Sequence, residues 1–301
     1  MLSDSSRHRG SSLLLVLWAL ILLSAAVFGF AKWMQQDIQI NGEANRELEA
    51  RAMAHSGLAL ALHPFVTKRT PGLAEDFSGG LGYRVRIQSE AGKLNINALL
   101  QGEDPARIAI LKRWLEMRGL EFNEREILVD CLLDWVDPDN AHRLNGVEDE
   151  GDYHPPNRPL TSVEEIAQVR GSGPLTRTEG WKDALTVFGN GKIDLLAAQA
   201  EVLRLIPGLS EAGIQALIQA RRGRDNIEGT IDDPEYKDVG TVLSLFFGMG
   251  PEQSKQASGL VTVNDQLMRI ISEGHSANAY RHVEVVAIKT VQKPTILSWK
   301  E

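Results

Sequence analysis

The chain has 301 residues, 43% hydrophobic and 24% charged, which excludes disorder over any large part of it and predicts more than one domain. A formal charge of −8 repels polyanions, so nonspecific nucleic-acid binding is disfavoured and cations are the better ligands. The single cysteine, Cys131, excludes an intrachain disulfide, and its neighbours Val129, Leu132 and Leu133 predict a buried, inert thiol.

The first element is apolar. No charged residue stands between Leu13 and Ala31, and at 1.5 Å per residue the segment spans about 28 Å, close to the ~30 Å hydrocarbon core of a bilayer. Arg7, His8 and Arg9 precede it, so the positive-inside rule keeps the N-terminus cytoplasmic and exports everything from about Lys32 onward. A cleaved signal peptide, with Ser24 to Ala26 as its small-residue site, is the alternative. Against it, the helical pattern runs on from Ala31 to His63, where Pro64 ends it. Along this extension Ala44, Leu48, Ala52, His55, Ala59 and Leu62 recur at helical spacing, with Glu43, Arg46, Glu47 and Glu49 on other faces, so the helix is apolar at one end and amphipathic at the other.

Gly79, Gly80 and Gly82 then announce a loop, and Tyr83 to Ile87 alternates as a half-buried strand does. A turn at Glu90-Ala91-Gly92 predicts a hairpin with a second strand over Lys93 to Asn97. From Ala98 to Ser258 the pattern is helical. Asp104 caps a helix that ends at Gly119, Asn123 with Glu126 and Thr161 with Glu164 read as capping boxes, and further helices fit Gln199 to Leu205, Glu211 to Arg222 and Val239 to Phe247. Leu245-Phe246-Phe247 is expected in the core. β character returns in Leu267 to Ile271, His282 to Val291 and Thr295 to Trp299. Strands on both sides of a helical block predict an α+β unit with an all-α insertion, the last strands closing a sheet against the helix after Lys32.

The most loaded segment runs from Asp134 to Tyr153 and holds Asp134, Asp137, Asp139, Glu148, Asp149, Glu150 and Asp152. Carboxylates at this density either stay solvated or gather around a hard cation such as Ca²⁺, which takes six to eight oxygens at about 2.3–2.6 Å. The Asp137-x-Asp139 spacing resembles the opening of an EF-hand loop, but the later positions depart from that pattern and its glycine is absent. Leu205 to Leu209 between two helical runs resembles a helix-hairpin-helix, which presents backbone N–H groups to DNA phosphate. Ser210 replaces its second glycine, and Glu211 at the helix start would repel phosphate. No H-E-x-x-H, G-x-S-x-G or P-loop pattern occurs, so an enzyme is not expected.

A short basic leader ending in Gly10, followed at once by an apolar helix that turns amphipathic, resembles a type IV pilin or pseudopilin precursor. Gly92 to Asn97, Leu133 to Asp139, Thr161 to Glu165 with Val169-Arg170-Gly171, and Ile296 to Trp299 resemble landmarks of the K-type minor pseudopilin of type II secretion, general secretion pathway protein K. The resemblance implies a pseudopilin fold, a long N-terminal helix on an antiparallel sheet, with an insertion of two sterile-alpha-motif-like helical subdomains. The expected divisions are a leader over 1–10, a transmembrane part over 11–31, the α/β unit over 32–97 and 259–301, and helical subdomains over 98–191 and 192–258.

It implies cleavage by prepilin peptidase after Gly10, methylation of Ser11, and residence in the bacterial inner membrane as a single-pass protein with its C-terminal body in the periplasm. Leu15 occupies the fifth mature position, where pilins carry a glutamate. A carboxylate in hydrocarbon costs about 2.5–3.5 kcal/mol on insertion scales, and in the family it is compensated by the terminal amine of a neighbouring subunit. Leu15 cannot make that contact, which suits the first subunit of a filament. Implied partners are the I-type and J-type minor pseudopilins (GspI and GspJ), further pseudopilins and the peptidase, without nucleic acid. The resemblance also implies structural calcium, with Asp137, Asp139, Glu148, Asp149 and Asp152 as ligands and Asp134 behind them. A membrane-tethered helix-hairpin-helix DNA receptor of a competence system and a tethered periplasmic hydrolase are the alternatives.

Overall fold

The computed structural model describes residues 8–301; the first seven residues of the expected leader lie outside the described residues. Helix α1 (His8–Ala61) is 54 residues long. Its N-terminal apolar stretch is wholly exposed, and among the described residues it is the one helix long and apolar enough to cross a membrane. Strand β1 (Ala74–Phe77) turns at Gly79-Gly80 into β2 (Leu81–Ser89). A 3₁₀ turn over Glu90–Gly92 leads to β3 (Leu94–Asn95) and α2 (Ile96–Leu100), then α3 (Pro105–Met117) and α4 (Phe122–Val136). After a long loop and a 3₁₀ helix over Val163–Gln168 come α5 (Gly173–Thr176), β4 (Leu185–Thr186) and β5 (Ile193–Asp194). Helices α6 (Ala200–Leu203), α7 (Glu211–Arg221), α8 (Val239–Phe247) and α9 (Pro251–Ala257) follow, then β6 (Val261–Thr262). Strands β7 (Leu267–Ser276), β8 (Ala279–Ile288) and β9 (Thr295–Lys300) close the chain.

One five-stranded antiparallel sheet has the order β1-β2-β7-β8-β9, so β2 and its neighbour β7 bracket the whole helical block. The expected hairpin over 83–97 does not form. The turn at Glu90–Gly92 exists, but Leu94–Asn95 pairs in parallel with Leu185–Thr186, while β2 pairs with β1 on one edge and β7 on the other. Local sequence announces the turn; the partner arrives some 180 residues later. Two capping assignments also shift. Helix α4 starts at Glu121, whose backbone N–H donates to Glu124, and Thr161 bonds Glu165 in place of Glu164. Asp104 caps α3 as expected, accepting from the Ala106 N–H at 2.9 Å.

The apolar stripe of α1 divides: Ala44, Leu48, Ala52 and Ala59 are exposed while Leu62 packs on the core under the sheet, and the face turned to the sheet is Ala50, Ala54, Leu58 and Ala61. These pack on Val85, Ile87, Ile270, Val283 and Val285, a small core in which each fully buried aliphatic side chain contributes about 1.5–3 kcal/mol. Small residues win this face because helix and sheet nearly touch. A Cβ on Gly274 of β7 would lie 2.1 Å from the Ala50 carbonyl oxygen, so only glycine admits the helix there. The helical block has its own continuous core, from Leu94 and Trp114 through Leu132 to Leu203, Leu217 and Val242. Phe246 and Phe247 pack against it, but Leu245 points to solvent. Block and sheet are bolted together by Arg269, whose guanidinium grips the fully buried Glu90 at 2.5 and 2.7 Å and also pairs with Glu284.

Candidate functional site

The acidic loop begins where α4 ends. Asp134 lies in the last helical turn and is fully buried; Asp137 closes the helix, its N–H bonded to the Leu133 carbonyl at 3.0 Å. The chain then folds back over α4. Asn145 donates its backbone N–H (3.1 Å) and side-chain Nδ2 (2.9 Å) to Asp130, and Gly146 passes so near that a Cβ would sit 1.8 Å from Asp134 Oδ2. Arg143 reaches inward between these walls. Its Nη1 donates to Asp134 Oδ1 and Asp137 Oδ2, each at 2.5 Å, its Nη2 to Glu103 at 2.8 Å, and its backbone N–H to both Asp134 oxygens. On the outer side Trp135 packs on Tyr153, over which Arg170 lies at 5.0 Å.

Asp134, Asp137 and Glu148 each bring one carboxylate oxygen within 4.8 Å of the others. Of the expected ligands, Asp137 and Glu148 therefore meet. Asp139, Asp149 and Asp152 stand on the exposed rim: Asp139 accepts from the Ala141 N–H of its own turn, and Asp149 pairs with His154 at 2.8 Å. Asp134 is more central than expected, but both its oxygens are taken by Arg143. The sequence reading also missed a spacing. With Asp137 as position one, Glu148 stands at twelve, where an EF-hand loop carries its bidentate glutamate, while Arg143 stands at seven, where that loop supplies a backbone carbonyl.

Burial pushes the Glu148 carboxyl above its ordinary pKa, reinforced by the charges of Asp134, Asp137, Asp149 and Asp139. Burial works against the Arg143 charge too, yet its hydrogen bonds to Asp137, Asp134 and Glu103 win and hold its pKa above the ordinary value. Three oxygens of the loop are buried with no protein partner: Asp137 Oδ1, Glu148 Oε1 and Asn157 Oδ1. A buried acceptor left unpaired costs about 1–3 kcal/mol, so the unpaired oxygens of Asp137 and Glu148, two carboxylates that approach within 4.8 Å, fit a hard cation. Asn157, a residue the sequence reading did not single out, holds left-handed φ of 50° and is pinned by donating its Nδ2 to the Asp139 carbonyl and Asn140 Oδ1. Cys131 lies just beneath, fully buried, its thiol pushed up to about 11 by burial and by Asp134 and Asp130.

The processing pair Gly10-Ser11 lies within α1, and Leu15 is exposed on it. Further along α1, Ala44, Leu48, Ala52 and Ala59 are exposed, and His55 meets the edge strand β9 at Trp299. A bulge in β9 at Leu297 sets both Trp299 and Ile296 opposite the core residues Val285 and Ala287, hence on the helix side of the sheet. Trp299 stacks on His55 at 5.6 Å, and Glu301 bonds Arg51 at 2.5 Å. In the segment that resembles a helix-hairpin-helix, Ser210 caps α7, and Glu211 is gripped by Arg204 at 2.7 and 2.8 Å. Arg221 is buried and donates to the Leu195 and Ala198 carbonyls.

A long apolar helix is laid on an antiparallel sheet, and a helical insertion carries the oxygen-lined loop. The same fold occurs in a chain of the crystal structure of the GspK-GspI-GspJ complex from the enterotoxigenic Escherichia coli type 2 secretion system, with a TM-score of 0.62, 15% identity, and coverage of 89% of this chain and 98% of that one. A stretch of 69 residues, 22% of this chain, is 30% identical to type II secretion system protein K of Dickeya chrysanthemi, and spans 20% of that relative's length. Residues 92–179 match the family described as type II secretion system (T2SS), protein K. The segment that holds the acidic loop is thus the part of the chain that is similar to type II secretion system protein K.

Proposed function

We propose that the chain is a minor pseudopilin of a type II secretion system, placed at the tip of the pseudopilus, where it initiates or caps assembly for export of folded proteins across the outer membrane. The observation that carries this reading is the outer stripe of α1. It runs without a break in the helix from the apolar stretch at Leu13–Ala31 to Ala59, and Leu48 on it and Trp299, stacked on His55, stay 64% and 43% exposed. An apolar helix face that emerges directly from a membrane-length segment suits packing against other helices rooted in the same bilayer. The I-type and J-type pseudopilins are the proposed occupants, and further pseudopilins would follow beneath.

In this reading prepilin peptidase removes residues 1–10 and Ser11 is methylated. The helix holds the chain in the inner membrane with its N-terminus cytoplasmic and its body periplasmic. Leu15 offers no acid to a neighbour above, and the helical block is too broad to stack under another subunit. The block is proposed to comprise two sterile-alpha-motif-like units over 98–191 and 192–258. Calcium in the acidic loop is structural: Asp137 and Glu148 supply charged oxygens, Asn157 a neutral one, and Asp139, Asp149 and Asp152 are further oxygens on the rim. When bound, the ion neutralises the carboxylates and fixes a loop that has no disulfide.

Two measurements test the reading. Mass analysis of the membrane-extracted chain, co-expressed with a prepilin peptidase, should show loss of residues 1–10 and one added methyl group; an intact leader sinks it. Leu48→Glu should abolish co-purification with the I-type and J-type partners while leaving the melting midpoint within about 2 °C, as expected for an exposed site. Full retention of both partners would reject the stripe as their seat.

A further inference from the structure

The acidic loop carries its own cation. Arg143 is the only basic side chain bonded to the Asp134–Asp137–Glu148 group among the described contacts, and it is spent unevenly. Both oxygens of Asp134 accept from it, through the backbone N–H and the guanidinium, while Asp137 gives it only Oδ2 and keeps Oδ1 unpaired. Glu148, 7% exposed, keeps Oε1 unpaired as well. The guanidinium thereby cancels one of three negative charges and removes the most buried carboxylate from the set that an ion could use.

We propose that Arg143 sets the calcium affinity of this loop, withholding Asp134 from the ion and keeping the site in the weak range. The inference rests on the calcium reading above. Affinity of oxygen sites for Ca²⁺ follows ligand charge and count, and sites with few charged ligands fall at dissociation constants of about 10⁻⁴–10⁻³ M, as in extracellular modules. The same guanidinium offers the loop a cation when calcium is scarce, so the fold at the end of α4 does not depend on the ion. Remove the guanidinium, and an oxygen of Asp134 already lies within 4.8 Å of those of Asp137 and Glu148, ready to join these two buried carboxylates as a ligand.

The test is calorimetric titration of the full chain, extracted in detergent, with calcium chloride alone, alongside the melting midpoint. Arg143→Gln should lower the dissociation constant by about tenfold or more, the effect of adding one charged ligand and removing a nearby cation. Asp134→Asn alone should leave the constant within about twofold, because its oxygens are not ligands in the parent chain. The double variant should lose most of the gain. If Arg143→Gln binds calcium no better than the parent, or Asp134→Asn by itself weakens binding about tenfold, the inference is overturned while the calcium reading stands. Should neither the parent nor Arg143→Gln bind, both fall together. The Asp134→Asn arm decides the matter even where Arg143→Gln fails to fold.

Discussion

Two loops of this protein crowd three acids each, and they treat them in opposite ways. Around Asp225, Asp232 and Asp233 the carboxylates are consumed by their own turn: Asp232 accepts from the Arg224 and Asp225 N–H groups and from Thr230, and Asp233 from the Gly229 N–H at 2.7 Å. Around Asp134, Asp137 and Glu148 the loop instead leaves buried oxygens unpaired. Density of acid is the same signal in both. What separates them is whether backbone donors reach the oxygens, and only the unsatisfied loop has a reason to recruit a cation.

Glu90 supplies a third case, an acid with no exposure, and the largest expected effect. Burial alone would raise its pKa, but the Arg269 hydrogen bonds and the charges of Lys93 and Arg269 hold it below the ordinary value. Arg269→Met leaves that carboxylate with Lys93 at 3.1 Å as its remaining cation and should cost up to about 3–5 kcal/mol in urea unfolding. Because the pKa is lowered, the pair's contribution is present above the ordinary value of 4.5 and is lost as pH falls through the lowered one. A loss under about 1 kcal/mol would mean that water reaches Glu90, and that burial is a poor guide to which acids here need a cation.

The calcium effect comes next. At a hundredfold excess over its dissociation constant the ion should stabilise the chain by about 2.7 kcal/mol, read as a rise in melting midpoint that a chelator reverses. Glu148→Gln should remove most of that rise. In the absence of calcium the same substitution should stabilise the chain near neutral pH, since the raised pKa marks a carboxylate whose ionisation opposes folding, and the advantage should vanish once acid protonates Glu148 itself. A midpoint indifferent to chelator would place both loops in the same satisfied class.

The sequence carries the elements better than their partners. Val239 to Phe247 is helical as read, and the Asp104 cap and the buried thiol of Cys131 are where local grammar puts them. The hairpin over 83–97 failed because a turn at Glu90–Gly92 is a local property and strand pairing is not. The contact face of α1 was not marked by periodicity either, because that helix has two apolar faces and the one against the sheet lies where Gly274 lets the backbones approach, at Ala50 and Ala54. Within the site, the carboxylates were legible. Arg143 was not, because an arginine in an acidic loop reads as solvated until the fold turns it inward.

The smallest effect is the sharpest test of the comparison. Asp232 is held down to about 2 by the Thr230 hydroxyl and the Arg224 and Asp225 N–H groups. A lowered carboxyl stabilises above its ordinary value of 3.8 and gives that up as pH falls toward 2, so Asp232→Ala should melt slightly early at neutral pH and converge with the parent near pH 2. Calcium should not alter the difference at any pH, since both Asp232 oxygens are already bonded to donors a few residues away. Glu148→Gln supplies the background in which to look. If that variant keeps a residual calcium response and Asp232→Ala abolishes it, backbone donors have failed to keep an ion out, and satisfied and unsatisfied acids no longer divide the two loops.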